Sequence, residues 1–159
     1  MKTRFHPVLN LTDSERKGLR AHGVKIREIP DYATDELEVI LGASPERADL
    51  LRARAEFQQI PSVGIHFADD LYFLGYRRIQ ELRGLDGATL TDTYEFRKGY
   101  RTDPCVEDQF RLAVHYAKTG DSSRRWWDFT AERKAFRETA GYPENRPEVS
   151  YFDLLQSEN

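Results

Sequence analysis

The chain has a single cysteine, Cys105, so it cannot form an intramolecular disulfide, and one thiol fits a reducing cytosol. No apolar run approaches the roughly 20 residues of a membrane span. The start, Met1 to Pro7, lacks the apolar stretch of a secretory signal, so a cytoplasmic location is expected. Positive charge is also short: 24 Lys and Arg stand against 27 Asp and Glu, a net charge of −3. Broad electrostatic capture of nucleic acid is thereby excluded, and any such binding has to come from a local patch. Convincing strands and low-complexity segments are missing too. What is present is 159 residues, 39% hydrophobic, enough to build a core and suited to one compact domain with an appendage.

The rest of the chain is organised around Gln59-Ile60-Pro61-Ser62-Val63-Gly64. Before it, residues 45–58 place Ala48, Leu51 and Ala55 at helical spacing. After it, residues 65–74 place Phe67, Ala68, Leu71 and Leu74 on one stripe. Pro61 cannot continue the first helix, and Gly64 is expected to supply a backbone conformation that other residues avoid. Two helices joined by a short connection follow. The first NH groups of the second helix lack intrahelical partners and point outward, a suitable arrangement for an anion.

The flanking sequence is helical by the same criteria. Thr12-Asp13-Ser14-Glu15 is a capping box opening a helix that Gly23 closes. Residues 24–30 read as extended. Thr34 is expected to cap a short helix with Leu37, Ile40 and Leu41 on its buried face, ended by Gly42. Ser44-Pro45 starts the helix leading to the central connection, so Gly42-Ala43-Ser44-Pro45 joins two helices as a first, weaker hairpin. Further on, Asp86 can cap a helix over 87–100 that turns Leu90 and Tyr94 inward. Asp103-Pro104 opens one over 104–118 with Val106, Phe110, Ala113, Val114 and Ala117 at helical spacing. Thr130 is expected to cap a helix ending at Gly141, with Arg133, Lys134 and Arg137 outward. The tail from Tyr142, with Pro143 and Pro147, should run over the surface.

The central stretch resembles the helix-hairpin-helix motif of DNA-binding proteins, which reads roughly apolar-Pro-Gly-apolar-Gly and then a helix with an early small residue. Ile60-Pro61-Ser62-Val63-Gly64 and Ala68 match. Ser62 stands where the motif prefers glycine, and Ile65-His66 where many members carry a polar or basic pair. Beyond the motif, Asp103-Pro104-Cys105-Val106-Glu107-Asp108-Gln109-Phe110-Arg111, Ala113-Val114-His115-Tyr116-Ala117 and Trp126-Trp127-Asp128-Phe129-Thr130-Ala131-Glu132-Arg133-Lys134 resemble a bacterial family named for a pathogenicity locus and sometimes labelled mitomycin-resistance-like. The likeness covers about residues 12–145.

Together these resemblances imply an all-α chain: a tandem helix-hairpin-helix, SAM-like domain over residues 1–120, with a helical aromatic extension over 121–159 docked on it. They imply sequence-independent contact with a DNA backbone, in a setting of DNA repair or DNA-damage resistance. The expected contact residues are Ser62, Val63, Gly64, Ile65 and His66, with Arg77 and Arg78, and Arg52 or Arg54, adding neutralising charge. No cofactor is expected; the resemblance allows a monovalent cation on the hairpin carbonyls. The alternative is a protein-interaction module with a degenerate hairpin, favoured by the acidic balance, Ser62 and Asp69-Asp70.

Other candidate sites are weaker. Cys105 lies in the first turn of a helix, where the dipole can lower a thiol pKa, but it has no paired base and reads as a small core residue. His115 follows about 15 Å along the same helix, too far to share a metal. Trp126 and Trp127 can stack on bases, although at least one is expected to seal the domain. Some DNA glycosylases carry a catalytic Asp near the offset of Gly84-Leu85-Asp86-Gly87. Here Asp86 is already explained as a cap and the other half of a base pocket is missing, so no enzyme activity is expected.

Overall fold

A computed structural model describes residues 5–158. The chain is all-α and folds as two compact units, one ending at Glu81 and the other beginning at Leu82. In the first unit, α1 (Asp13–Ala21) opens with the capping box: Thr12 Oγ1 accepts from the Glu15 amide, and Glu15 Oε1 accepts from the Thr12 amide. Gly18 brings α1 hard against α2 (Thr34–Leu41), since a Cβ there would lie 2.2 Å from the Ile40 carbonyl oxygen. Residues expected to be extended instead form a 3-10 helix, Ile26–Asp31, with Pro30 inside it and Ile29 fully buried. Ala33, not Thr34, is the N-cap of α2, and its amide donates to Glu36 Oε1. Ser44 caps α3 (Pro45–Phe57) as read, accepting from the Arg47 amide.

α3 and α4 (Ile65–Phe73) pack together across the 58–64 connection. The expected stripes are buried on both: Ala48, Leu51 and Ala55 on α3, and Phe67, Ala68, Leu71 and Leu74 on α4 and its C-cap. With Leu19, Ile29, Leu37 and Leu41 they close an apolar interior.

The second unit begins in the short 3-10 helix Ile79–Leu82 and continues with α5 (Gly87–Lys98), capped by Asp86 through the Thr89 amide. α6 (Pro104–Thr119) is capped by Asp103 through the Cys105 amide. A 3-10 turn, Trp126–Phe129, leads into α7 (Thr130–Ala140), and both pack on α6. Residues 121–140 thus pack with α6 inside the second unit.

The buried face of α6 also differs from the expected one. Glu107, Asp108, Phe110, Leu112 and Ala113 are buried, while Val106, Val114 and Ala117 are half-buried. Thr130 does not cap α7. It is helical, and its hydroxyl donates to Asp108 Oδ2 at 2.8 Å. The arginines expected on the outside of α7 turn inward: Arg133 Nε donates to Asp108 Oδ1 at 2.6 Å, and Arg137 donates to Glu107 and Asp92. The tail is partly ordered by pairing with the α5–α6 loop, because Arg101 and Ser150 form an isolated bridge ahead of α8 (Tyr151–Ser157).

Candidate functional site

The 58–64 connection is held by two buried apolar anchors, Ile60 and Val63, with the Val63 amide donating to the Ile60 carbonyl at 3.2 Å. Between them Ser62 adopts φ +62°, the left-handed conformation that most side chains avoid. The residue standing in for the motif's glycine is therefore the one that takes the glycine-like backbone. Gly64, read from the sequence as the residue needing that freedom, has φ −99° and ψ −174°, an extended conformation open to any residue. Its significance is spatial: a Cβ built on Gly64 would meet nothing within 4 Å. The backbone at the head of α4 therefore faces open space. Gly64 is the N-cap and has no side chain to cap this end, and the first turn carries no acidic residue. Ile65 is half-buried and His66 is exposed.

The positive charges expected to support this end are mostly engaged elsewhere. Arg52 is buried and donates to the Tyr32 and Pro30 carbonyls, and burial, then Arg78, holds its pKa below the usual arginine value. Arg54 grips both carboxylate oxygens of Asp69, at 2.7 and 3.0 Å, and reaches the Leu9 carbonyl. Asp69 is thus charge-balanced and not the uncompensated repulsion that its sequence position suggests. Arg77 lies 3.7 Å over the Tyr72 ring and donates to Asp49 Oδ2 at 2.7 Å. Asp49 gave no signal in the sequence, because its partner is 28 positions away. Arg78 is exposed and forms no ion pair among the described residues. The structure therefore brings Ser62, Val63, Gly64, Ile65 and His66 together by adjacency, and commits Arg52, Arg54 and Arg77 to internal contacts.

Cys105 is pushed up to about 11, by burial first and then by Asp103, so its thiol stays protonated near neutrality. His115 Nε2 lies 3.3 Å from Asp121 Oδ2, and its ring packs on Phe129. Trp126 is half-buried and Trp127 is 56% exposed, the two rings meeting edge to face. No cluster of metal-ligating side chains occurs among the described residues, and no helix there is long and apolar enough to cross a membrane.

Comparison with known proteins covers this same region. The mitomycin resistance protein McrB of Streptomyces lavendulae is 32% identical over 80 residues, half of this chain and 75% of that protein. No solved structure matches. Residues 51–135 match the family described as Pathogenicity locus (Cdd1), a span that runs from α3 through the 58–64 connection to α7. The match takes in both the head of α4 and the buried acids of α6, more than half of the sequence, and the chain belongs to the pathogenicity-locus family.

Proposed function

We propose that this protein contacts a nucleic-acid backbone without reading its sequence, using the α3–α4 pair as a helix-hairpin-helix and the α2–α3 pair as its weaker tandem partner. One observation carries the reading. The start of α4 has a glycine as its N-cap, and the missing side chain opens onto empty space. Backbone amides at such an end attract one phosphate, and the absent Cβ leaves room for it. The name of the mitomycin resistance relative supports placing the contact in resistance to DNA damage.

With Arg52, Arg54 and Arg77 engaged internally, the amides at the head of α4 receive little added positive charge. Binding is therefore weak, with a log–log salt slope of about −1 to −2. The test is a low-salt titration against duplex, nicked and branched DNA, with Gly64→Val as the variant. Valine accepts the backbone angles at position 64, so this variant should fold normally and lose binding. Equal binding by the folded variant would refute the amide contact. A second reading, an interaction module for a protein partner, draws on the same internally engaged arginines; absence of binding to every DNA form at low salt would put it first.

A further inference from the structure

The first unit also contains a concave site away from the 58–64 connection, and it does not depend on the nucleic-acid reading. A cavity of about 370 Å³ lies between α1 and the turn that follows it. Its apolar wall is Leu19 and Val24, both buried, extended by the half-buried Ile26. Arg16 and Arg20, one turn apart on α1, line it together with Lys25 and Arg27 from the next segment, and His6 also contributes. No carboxylate among the described residues lines it. Glu28, next to Arg27, is engaged by the Lys25 amide at 2.9 Å, and Glu15, next to Arg16, by Arg47.

Like Arg78, these four cations differ from the arginines of the unit that hold a carboxylate. Arg47, Arg54 and Arg77 each grip a carboxylate, whereas Arg16, Arg20, Lys25 and Arg27 form no ion pair among the described residues. In a chain of net charge −3, four exposed cations with no ion pair among the described residues gather around one hollow, a local positive patch that attracts an anion. The volume falls within the range of small-molecule sites, and an apolar wall with a few polar groups at its rim is the usual composition of such sites. We infer that this cavity is a binding site for a small organic anion: a carboxylate, sulfonate or phosphate group held by the cationic rim, carried on an apolar body that lies against Leu19, Val24 and Ile26.

The experiment uses the full chain and the aromatic sulfonate 8-anilinonaphthalene-1-sulfonate as a fluorescent probe, displaced by phenyl phosphate, by inorganic phosphate or by duplex DNA. Arg20→Gln and Lys25→Gln alter exposed side chains, so helicity by circular dichroism should match the parent. Each should weaken probe binding roughly tenfold or more, the scale of one lost charge-assisted hydrogen bond. Phenyl phosphate should displace the probe at lower concentration than inorganic phosphate, and Gly64→Val should leave probe affinity unchanged. Unchanged affinity in both charge variants would overturn the proposal, as would equal displacement by the two phosphates. If duplex DNA displaces the probe and phenyl phosphate does not, the rim belongs to a polymer-binding surface and the small-molecule site is refuted.

Discussion

Leu51, at the middle of α3, is buried with Leu37, Leu41, Ile29 and Ala55, and that interior is built of hydrocarbon. Phe110, at the middle of α6, is buried, and so are its near neighbours on that helix Glu107 and Asp108, which are 2% and 0% exposed. Among the described residues, the first unit buries two charged side chains, Glu15 and Arg52. The second buries Glu95, Glu107, Asp108 and Arg137 among its apolar residues. Each buried acid has a matching arginine: Arg146 on Glu95, Arg111 and Arg137 on Glu107, and Arg133 on Asp108. No buried side-chain polar atom is left without a hydrogen-bond partner among the described residues. The two interiors should therefore fail differently. A hydrocarbon core loses stability in proportion to the cavity a truncation leaves, whereas an ionic one depends on both members of each pair being present.

The largest effect is expected from breaking one pair from one side. Asp108→Ala leaves the Arg133 guanidinium, 11% exposed, without its carboxylate and takes the acceptor from the Thr130 hydroxyl. Burial lowers the Arg133 pKa, and the hydrogen bond and charge of Asp108, with Tyr142 and Glu107, turn the net shift upward. A loss of about 3–5 kcal/mol is expected, the cost of an uncompensated buried charge. It should be read by denaturant unfolding together with hydrogen exchange of the α6 and α7 amides. Replacing both partners, Asp108→Met with Arg133→Met, should restore stability to within about 1 kcal/mol of the parent, because two apolar side chains impose no unmet charge. A double variant as unstable as Asp108→Ala would mean that shape, and not charge, sets the cost.

Next comes the hydrocarbon side. Leu71 is fully buried on α4, and Leu71→Ala should cost about 3 kcal/mol through lost burial and the cavity left behind. The cost should not change when salt is raised. A salt-dependent loss would break the contrast between the two interiors.

The sequence made the helix ends easy to read, because a cap is a local signal: Thr12, Ser44, Asp86 and Asp103 each bind an amide two or three residues on. The apolar stripes of α3 and α4 were equally legible, since helical spacing alone places them. Three features were not. The 3-10 helix Ile26–Asp31 has β-branched residues and a proline, whose propensities point to extended chain. Arg133 and Arg137 read as surface charges because their acids lie 25 and 30 positions back in the sequence. Phe136, an apolar residue of α7, is 41% exposed and sits under the Arg111 guanidinium. At the candidate site, the roles of Ser62 and Gly64 could not be assigned from residue type, since the strained φ belongs to the residue that carries a side chain.

The smallest effect separates two carboxylates, one from each unit, that are both held below their usual pKa. In the first unit Glu15 is lowered chiefly by Arg47, against burial, with Thr12 helping. In the second, Asp121 is lowered to about 2, first by the Ser123 hydroxyl, then by the Ser123 amide and His115. The sign is the same for both. A folded pKa below the unfolded one stabilises the fold above the unfolded value, and that contribution fades as pH falls through the folded value. For Asp121 the window runs from about pH 4 down to about pH 2.

The causes differ, and so should the responses, followed by carboxyl 13C shifts across an acid titration. Ser123→Ala should raise the Asp121 midpoint without returning it to the ordinary value, because the Ser123 amide still donates. Salt should barely move it, since neutral donors dominate. Arg47→Gln should raise the Glu15 midpoint, because burial then acts against the charged form with only Thr12 opposing it. Added salt should push Glu15 the same way in the parent, to a lesser degree than the substitution because the ion pair is largely shielded from solvent. If Asp121 proved the more salt-sensitive of the two, its low pKa would have to be assigned to His115 and not to Ser123.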